Sequence, residues 1–396
     1  MKFQFTMGLV LSLFAAQVSA VDISGWASFE AIGFVHQGQD PDQRNNSVSF
    51  ALQPEFFVEL EGGKNSFLFV PFYRFDGNDK ARTHADIREL KWTFIGDDEW
   101  ELHVGVGKVF WGVTESLHLV DIINQTDLVE NPDGEEKLGQ PMINLALVKE
   151  WGTIDLFLMS GFRERTFPGK TGRFRSIPFV DTDHAIFEAK NKQAHVDWAV
   201  RYSHAFGDWD VGLYHFSGTS REPLLAPVIN RNLEVVLVPI YNLIDQTSID
   251  VQSTKGAWLL KLEAITRSGQ GERFFASVSG VEYTFNGVFS TQADVGIIME
   301  YLYDDRGNKA ATPFEDDLFV GMRVAFNDTQ DTDLLAGMII DLSRHSRTFS
   351  VEANHRINDN LQASLQGQIF ENTRKDVVLD ALRDDDNVRL DLKYYY

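Results

Sequence analysis

The stretch NVRLDLKYYY, residues 387–396, alternates apolar and charged side chains up to the last residue. One parity reads Val388, Leu390, Leu392, Tyr394 and Tyr396; the other reads Arg389, Asp391, Lys393 and Tyr395. Neighbouring side chains on a β-strand point to opposite faces, so this segment has one apolar and one ionic face. The last residues of a soluble domain usually trail into water. A strand that keeps its final residue on the apolar face is instead expected to be held at both edges.

The same period of two runs through most of the chain. Phe50, Leu52, Phe56, Val58 and Leu60 share a parity, and Trp100, Leu102, Val104 and Val106 form another row. Later rows are cleaner: Val295, Ile297, Met299, Tyr301 and Tyr303, then Leu318, Val320, Met322, Val324 and Phe326. The opposite parity is polar, as in Glu352, Asn354 and Arg356 or Gln362, Ser364, Gln366 and Gln368. The rows run to about 10–13 residues, near the length that crosses a bilayer at a tilt and longer than ordinary globular strands. Short turns such as Gly207-Asp208, Lys255-Gly256 and Asn286-Gly287 alternate with mostly longer connections, among them 112–141, 163–193 and 218–246.

This pattern predicts an all-β fold, a transmembrane antiparallel β-barrel of about 18 strands with short periplasmic turns and long extracellular loops. Merging the weak segments near 142–162 would give about 16. The terminal strand is expected to pair with the first, near Ile23 to Val35, so that no edge is left unpaired in lipid. An apolar strand ending in an aromatic residue is also expected to be read by the barrel-assembly machinery through Tyr396.

Composition fits. The 31 Phe, 10 Tyr and 8 Trp coexist with a slightly negative mean hydropathy, as one-sided sheets require. The first twenty residues, MKFQFTMGLVLSLFAAQVSA, have a basic start, a short apolar core and a small-residue cleavage site at Ala20, the pattern of a Sec-type signal peptide. Residues 21–396 are expected to form a single barrel domain in the outer membrane of a Gram-negative cell. No plug domain is expected ahead of it, since strand character begins at Asp22. A net charge of −22 argues against nucleic acid as a partner. There is no cysteine, and no residue pattern calls for a cofactor or metal.

The most distinctive stretch is GVGKVFWGVTESLHLVDIINQTDLVENPDGEE, residues 105–136, with Lys108, Trp111, Gly112, Asp121, Asn124 and Asp127. Together with WLLKLEAITRSG (258–269) and TPFEDDLFVGMRVAFNDTQDTDLLAG (312–337), it resembles an uncharacterised proteobacterial family of porin-like outer-membrane β-barrel proteins. In that family a glycine-rich strand, a Trp-Gly pair and an aspartate, asparagine-proline, aspartate run recur; here Gln125 stands in place of the proline. The resemblance implies a barrel and an envelope location. Leu117, Leu119, Val120, Ile122 and Ile123 cannot all stand in water, so 112–141 is expected either to fold into the barrel mouth and narrow the pore or to cap it.

Other segments give further expectations. Arg163, Arg165, Lys170, Arg173 and Arg175 make a basic loop, expected to be solvated against lipopolysaccharide phosphates or, alternatively, to act as an anion filter. The apolar run in 218–246 reads as an extra strand or a lid over the lumen. Lys261, Glu263, Glu300, Arg323, Arg356 and Arg389 fall on the lumen parity, where mixed cross-strand pairs would make a rigid wall. The function these readings imply is a passive channel for small solutes, with a hydrophobic or lipid-like cargo suggested by the apolar loops. Its rivals are a structural or adhesive barrel and a hydrolase built on His118 with Ser116, His204 with Ser203, or His215 with Ser217; oligomeric state is not legible.

Overall fold

The computed structural model describes residues 20–396. The expected signal peptide, apart from Ala20, lies outside the described residues. The chain first builds a meander: β1 (Asp22–Phe34), β2 (Asn46–Leu60), β3 (Asn65–Asp76), β4 (His84–Gly96), β5 (Trp100–Gly107), β6 (Gln140–Lys149) and β7 (Gly152–Met159). The short β8 (Ile186–Phe187) stands apart from it. β9 (Asp197–Phe206) and β10 (Trp209–Thr219) resume the wall, and β11 (Leu224–Ile229) and β12 (Val235–Tyr241) leave it again. The wall is completed by β13 (Leu243–Lys255), β14 (Trp258–Ser268), β15 (Phe274–Phe285), β16 (Asp294–Asp304) and β17 (Asp316–Ala325). β18 (Asp333–Asp341), β19 (Arg347–Arg356), β20 (Leu361–Glu371) and β21 (Asn387–Tyr395) follow.

All strands except β8, β11 and β12 form one 18-stranded sheet. It closes on itself, because β21 pairs antiparallel with β1 from Trp26↔Tyr395 to Phe34↔Asn387. The Tyr396 backbone N–H also donates to the Gly25 carbonyl at 3.1 Å, so even the last residue is tied down. The segments near 142–162 are two strands, β6 and β7, paired from Met142↔Met159 to Lys149↔Gly152, which gives 18 strands and not 16. Closure removes both sheet edges, which a barrel wall in lipid requires.

Alternation sets which side chains face outward. On β16, Ile297, Met299, Tyr301 and Tyr303 are exposed on the outer face, whereas Ile298, Glu300 and Leu302 between them are fully buried inside. One end carries tight turns such as 150–151, 207–208 and 256–257; the other carries the connections 108–139, 160–196 and 220–242. Gly256, at φ 63°, takes the left-handed conformation that its two-residue turn needs.

The apolar run in 218–246 is neither a wall strand nor part of the cavity lining. It folds as a hairpin, β11 on β12, to which β8 adds in parallel. Val236, Val238 and Tyr241 are its buried side, and Tyr241 packs against Phe162 and Phe187 at ring distances of 5.0 and 5.1 Å. This satellite sheet leaves the even strand number intact.

Candidate functional site

The interior of the barrel is divided. Against the inner face of β6 to β18, the connection 108–139 fills the space with apolar side chains. Trp111, Val120, Ile122 and Ile123 are 0–3% exposed and pack with Met142, Phe157, Tyr214, Phe216 and Ile265 from the wall. The Trp111 ring lies 5.6 Å from Phe157 and 4.7 Å from Tyr214. Further round, Leu117 and Leu119 cover Val278, Ile298, Leu302 and Phe319. Burial at this scale contributes about 1.5–3 kcal/mol per large apolar side chain.

Two carboxylates on the wall hold this loop by its backbone. Glu263 on β14 is fully buried; its Oε1 accepts from Val113 N at 2.7 Å, Thr114 N at 3.1 Å and Thr114 Oγ1 at 2.7 Å, and its Oε2 from Val120 N at 3.2 Å. Glu300 on β16, also fully buried, accepts from Glu115 N and Ser116 N, both at 2.8 Å, and from Ser116 Oγ at 2.6 Å. A buried charge is tolerated only with such compensation, and here the compensation is the loop. In return, the Glu115 carboxylate lies 2.5 Å from Arg323 and 3.7 Å from Lys261. Glu263 and Glu300, expected in cross-strand pairs, are thus docking posts. Arg356 pairs with Asp331 at 2.7 Å near the short-turn end, and Arg389 lies 3.7 Å from Glu30.

The loop's own polar residues close its base. Asn124 accepts from Val109 N at 2.8 Å and donates to the carbonyls of Gly107 and Leu138 at 2.9 and 2.8 Å, clasping the outgoing and returning chain. Asp127, fully buried, accepts from Arg88 at 2.6 Å and Thr166 at 2.7 Å. Asp121 lies 3.3 Å from Lys137; its burial raises its pKa above the usual carboxylate range despite the lysine. Lys108 is exposed and faces the open part of the lumen.

Gly112 has φ 148°, and a Cβ there would stand 2.9 Å from His118 Nδ1 and 3.0 Å from Glu263 Oε1. Gly112→Ala is therefore expected to displace the loop from Glu263 and open the buried Trp111 to acrylamide quenching, while gel mobility before boiling stays that of a folded barrel. His118 gives a second handle. Burial pushes its pKa down, but Glu263, Glu135 and Asp121 together outweigh burial and hold it above the usual value. The protonated imidazole thus stabilises the docked loop below the ordinary histidine pKa, and that contribution is lost as pH rises through the elevated folded-state value. Acrylamide quenching of tryptophan fluorescence is expected to rise across that window in the native protein and to stay flat in His118→Gln, as quenching at stepped pH would read.

The opposite side of the lumen, bounded by β1 to β4 and β19 to β21, is open. It holds a cavity of about 400 Å³. Its cations are Arg74, Arg88, Lys108, Arg389 and Lys393, and its carboxylates Glu30, Glu130, Glu136, Glu352 and Asp391. Between them stand Ser28, Gln53, Asn131, Asn354, Gln362, Ser364 and Gln366, with the rings of Trp26, Phe72 and Tyr395.

Toward the long-loop end, residues 128–130 roof this cavity and are locked by a buried ionic knot. Arg82 Nη1 lies 2.5 Å from Glu30 and 3.1 Å from Asp76, and its Nε donates to the Val129 carbonyl at 2.8 Å. Arg74 donates to Glu130 at 2.8 Å and to Ser49 at 2.6 Å. None of these was singled out from sequence; the signal was Arg74 on the inward parity of the aromatic run FVPFYRFD.

The basic loop completes the roof. Arg173 binds Asp385 at 2.6 Å and its guanidinium sits 4.2 Å from the Phe34 ring centre; Arg175 binds Asp40 at 3.0 Å. Arg163 binds Asp86 at 2.7 Å, and Arg165 donates to Gln125 at 3.3 Å. The solvated cluster expected from the sequence is therefore mostly an internal brace, because ion pairs across the mouth consume three of its five charges and Gln125 holds a fourth. Lys170 alone of the five stays exposed, 3.9 Å from Glu234.

His84, Asp127 and Glu130 bring ligand-type atoms within 4.8 Å of one another. Arg88 and Arg74 already occupy the two carboxylates, a surrounding that opposes a further cation. Ser116 is bound to Glu300 and not to His118, and His215 bonds Thr247 at 2.9 Å on the outer side of the sheet.

No protein-family model matches the sequence, and no curated protein does. Among solved structures, the chain is similar to OccK5 (OpdH) of Pseudomonas aeruginosa at 10% identity, over 95% of this chain and 97% of that one, with a TM-score of 0.54. A triple mutant of Rhodopseudomonas blastica porin aligns at 11% identity, over 95% of this chain and 100% of that one, with a TM-score of 0.45. The former likeness speaks to the barrel's shape. The chain is a closed 18-stranded antiparallel β-barrel whose interior is partly filled by its own loop.

Proposed function

We propose that this protein is a passive channel of the Gram-negative outer membrane, passing small polar solutes through a lumen that the connection 108–139 narrows. The observation that carries the reading is the division of the interior: a wide barrel, packed with apolar side chains on one side and lined with charges, amides and hydroxyls on the other. Barrels of 16–18 strands leave an aqueous passage unless something fills them. The outer rows of exposed aliphatic and aromatic side chains suit acyl chains, with the short turns on the periplasmic side. Export after cleavage near Ala20, recognition of Tyr396 by the assembly machinery and contact of Lys170 with lipopolysaccharide belong to the same proposal.

The polar cavity favours hydrophilic over lipid-like cargo, since the apolar hairpin β11–β12 contributes nothing to its lining. The hydrolase reading lacks support: Ser116 is held by Glu300, His215 bonds Thr247, and Ser203 and His204, consecutive on β9, point to opposite faces. Reconstitution into planar bilayers is expected to give discrete ion-conducting steps, with swelling of loaded liposomes in small polar solutes. Sealed bilayers at all voltages would refute the channel.

A further inference from the structure

The geometry points to a saccharide-type vestibule: the open side of the lumen binds neutral polyhydroxylated solutes in preference to charged solutes of the same size. This deepens the channel reading and rests on it for the route of access. The argument starts from charge. The protein as a whole carries −22, yet the cavity is lined by five cations and five carboxylates, a formal balance of zero. Several of these charges are also spent on one another, with Arg74 bound to Glu130 at 2.8 Å and Arg389 lying 3.7 Å from Glu30. A balanced, internally paired wall offers little net attraction to either sign of ion.

What remains free is of another kind. Gln53 and Gln366 present amides to the cavity, each both donor and acceptor, as sugar hydroxyls are. Ser28 Oγ and Asn131 Oδ1 are buried without a hydrogen-bond partner among the described residues, and Ser28 is only 2% exposed. Unpartnered buried polar atoms are costly, and a hydroxyl-rich solute would satisfy them. Tyr395 adds aromatic surface at the short-turn end, as does the face of Trp26 not covered by Lys393, whose Nζ lies 4.6 Å from that ring's centre; such surface suits the C–H faces of a pyranose ring. The volume, about 400 Å³, is within the range of small-molecule sites.

The test uses the full-length barrel in planar bilayers, with sucrose added on the short-turn side while ion current is recorded. Sucrose is expected to reduce the current saturably. Sodium gluconate and glucosamine hydrochloride, at matched ionic strength, are expected to need at least about tenfold higher concentration, the ratio that a difference of roughly 1.4 kcal/mol would give. The double variant Gln53→Leu, Gln366→Leu is expected to weaken the sucrose effect at least fivefold. Equal block by all three solutes, or none by sucrose in a conducting channel, overturns the vestibule and leaves the channel standing. If no current flows, the channel reading falls. Equilibrium dialysis of the detergent-solubilised protein against labelled sucrose then decides the vestibule, with retention supporting it and absence of retention overturning it.

Discussion

Excising residues 114–136 and joining the ends through a short Gly-Ser linker is expected to raise single-channel conductance on the order of two- to fivefold. The apolar half of the interior would become water, and the passage would approach that of an unfilled barrel of this strand number. The wall should survive the change, because its strands close through β1 and β21 without help from the loop. Retained heat-modifiable gel mobility would check that closure. Glu263 and Glu300 would lose most of their loop donors, but the excised segment also carries seven carboxylates, among them the partners of Arg74, Arg88 and Arg323, so anion selectivity should rise along with the conductance. An unchanged current after excision would mean that the loop does not limit the passage.

The second large effect is expected at the roof. Arg82, 7% exposed, lies between Glu30 and Asp76 and also holds the Val129 carbonyl. Arg82→Met leaves two buried carboxylates without their shared partner. Breaking a buried pair from one side typically costs about 3–5 kcal/mol. Unfolding in urea from detergent micelles should show that loss, and adding Glu30→Gln should recover part of it, since one stranded charge is then removed. The freed segment 128–130 should also make the current noisier. A single variant as stable and quiet as the native protein would contradict the lock.

The wall was legible in the sequence because a period of two, repeated over long rows, has one physical solution once the outer face is apolar and the ends must pair. Val388 to Tyr396 carried that reading, and the strand count followed from the turns. The loop's destination was only half legible. Leu117 to Ile123 demanded burial, but nothing local said that Glu263 and Glu300, some 150 and 185 residues further along the chain, would receive its backbone. Their place on the polar parity was visible, whereas their role depended on curvature. The basic loop misled for a related reason: Arg173 and Arg175 look solvated by composition, but Asp385 and Asp40 meet them only when the mouth is assembled. Arg344 likewise gathers Glu315, Asp341 and Asp376, distant in sequence, into one buried group that no local pattern announces. Lumen-facing Gln362, Ser364 and Gln366, by contrast, were placed correctly by parity alone.

The docking of Val113 to Val120 on Glu263 and Glu300 also dictates an order of construction. The posts lie some 150 and 185 residues beyond the loop, so the insert stays greasy and unhoused until the later staves of the cylinder are in place. Once the seam has zipped, threading thirty residues inward past a braced mouth would be slow. Docking of the loop is therefore expected to accompany the curling of the sheet and not to follow its closure.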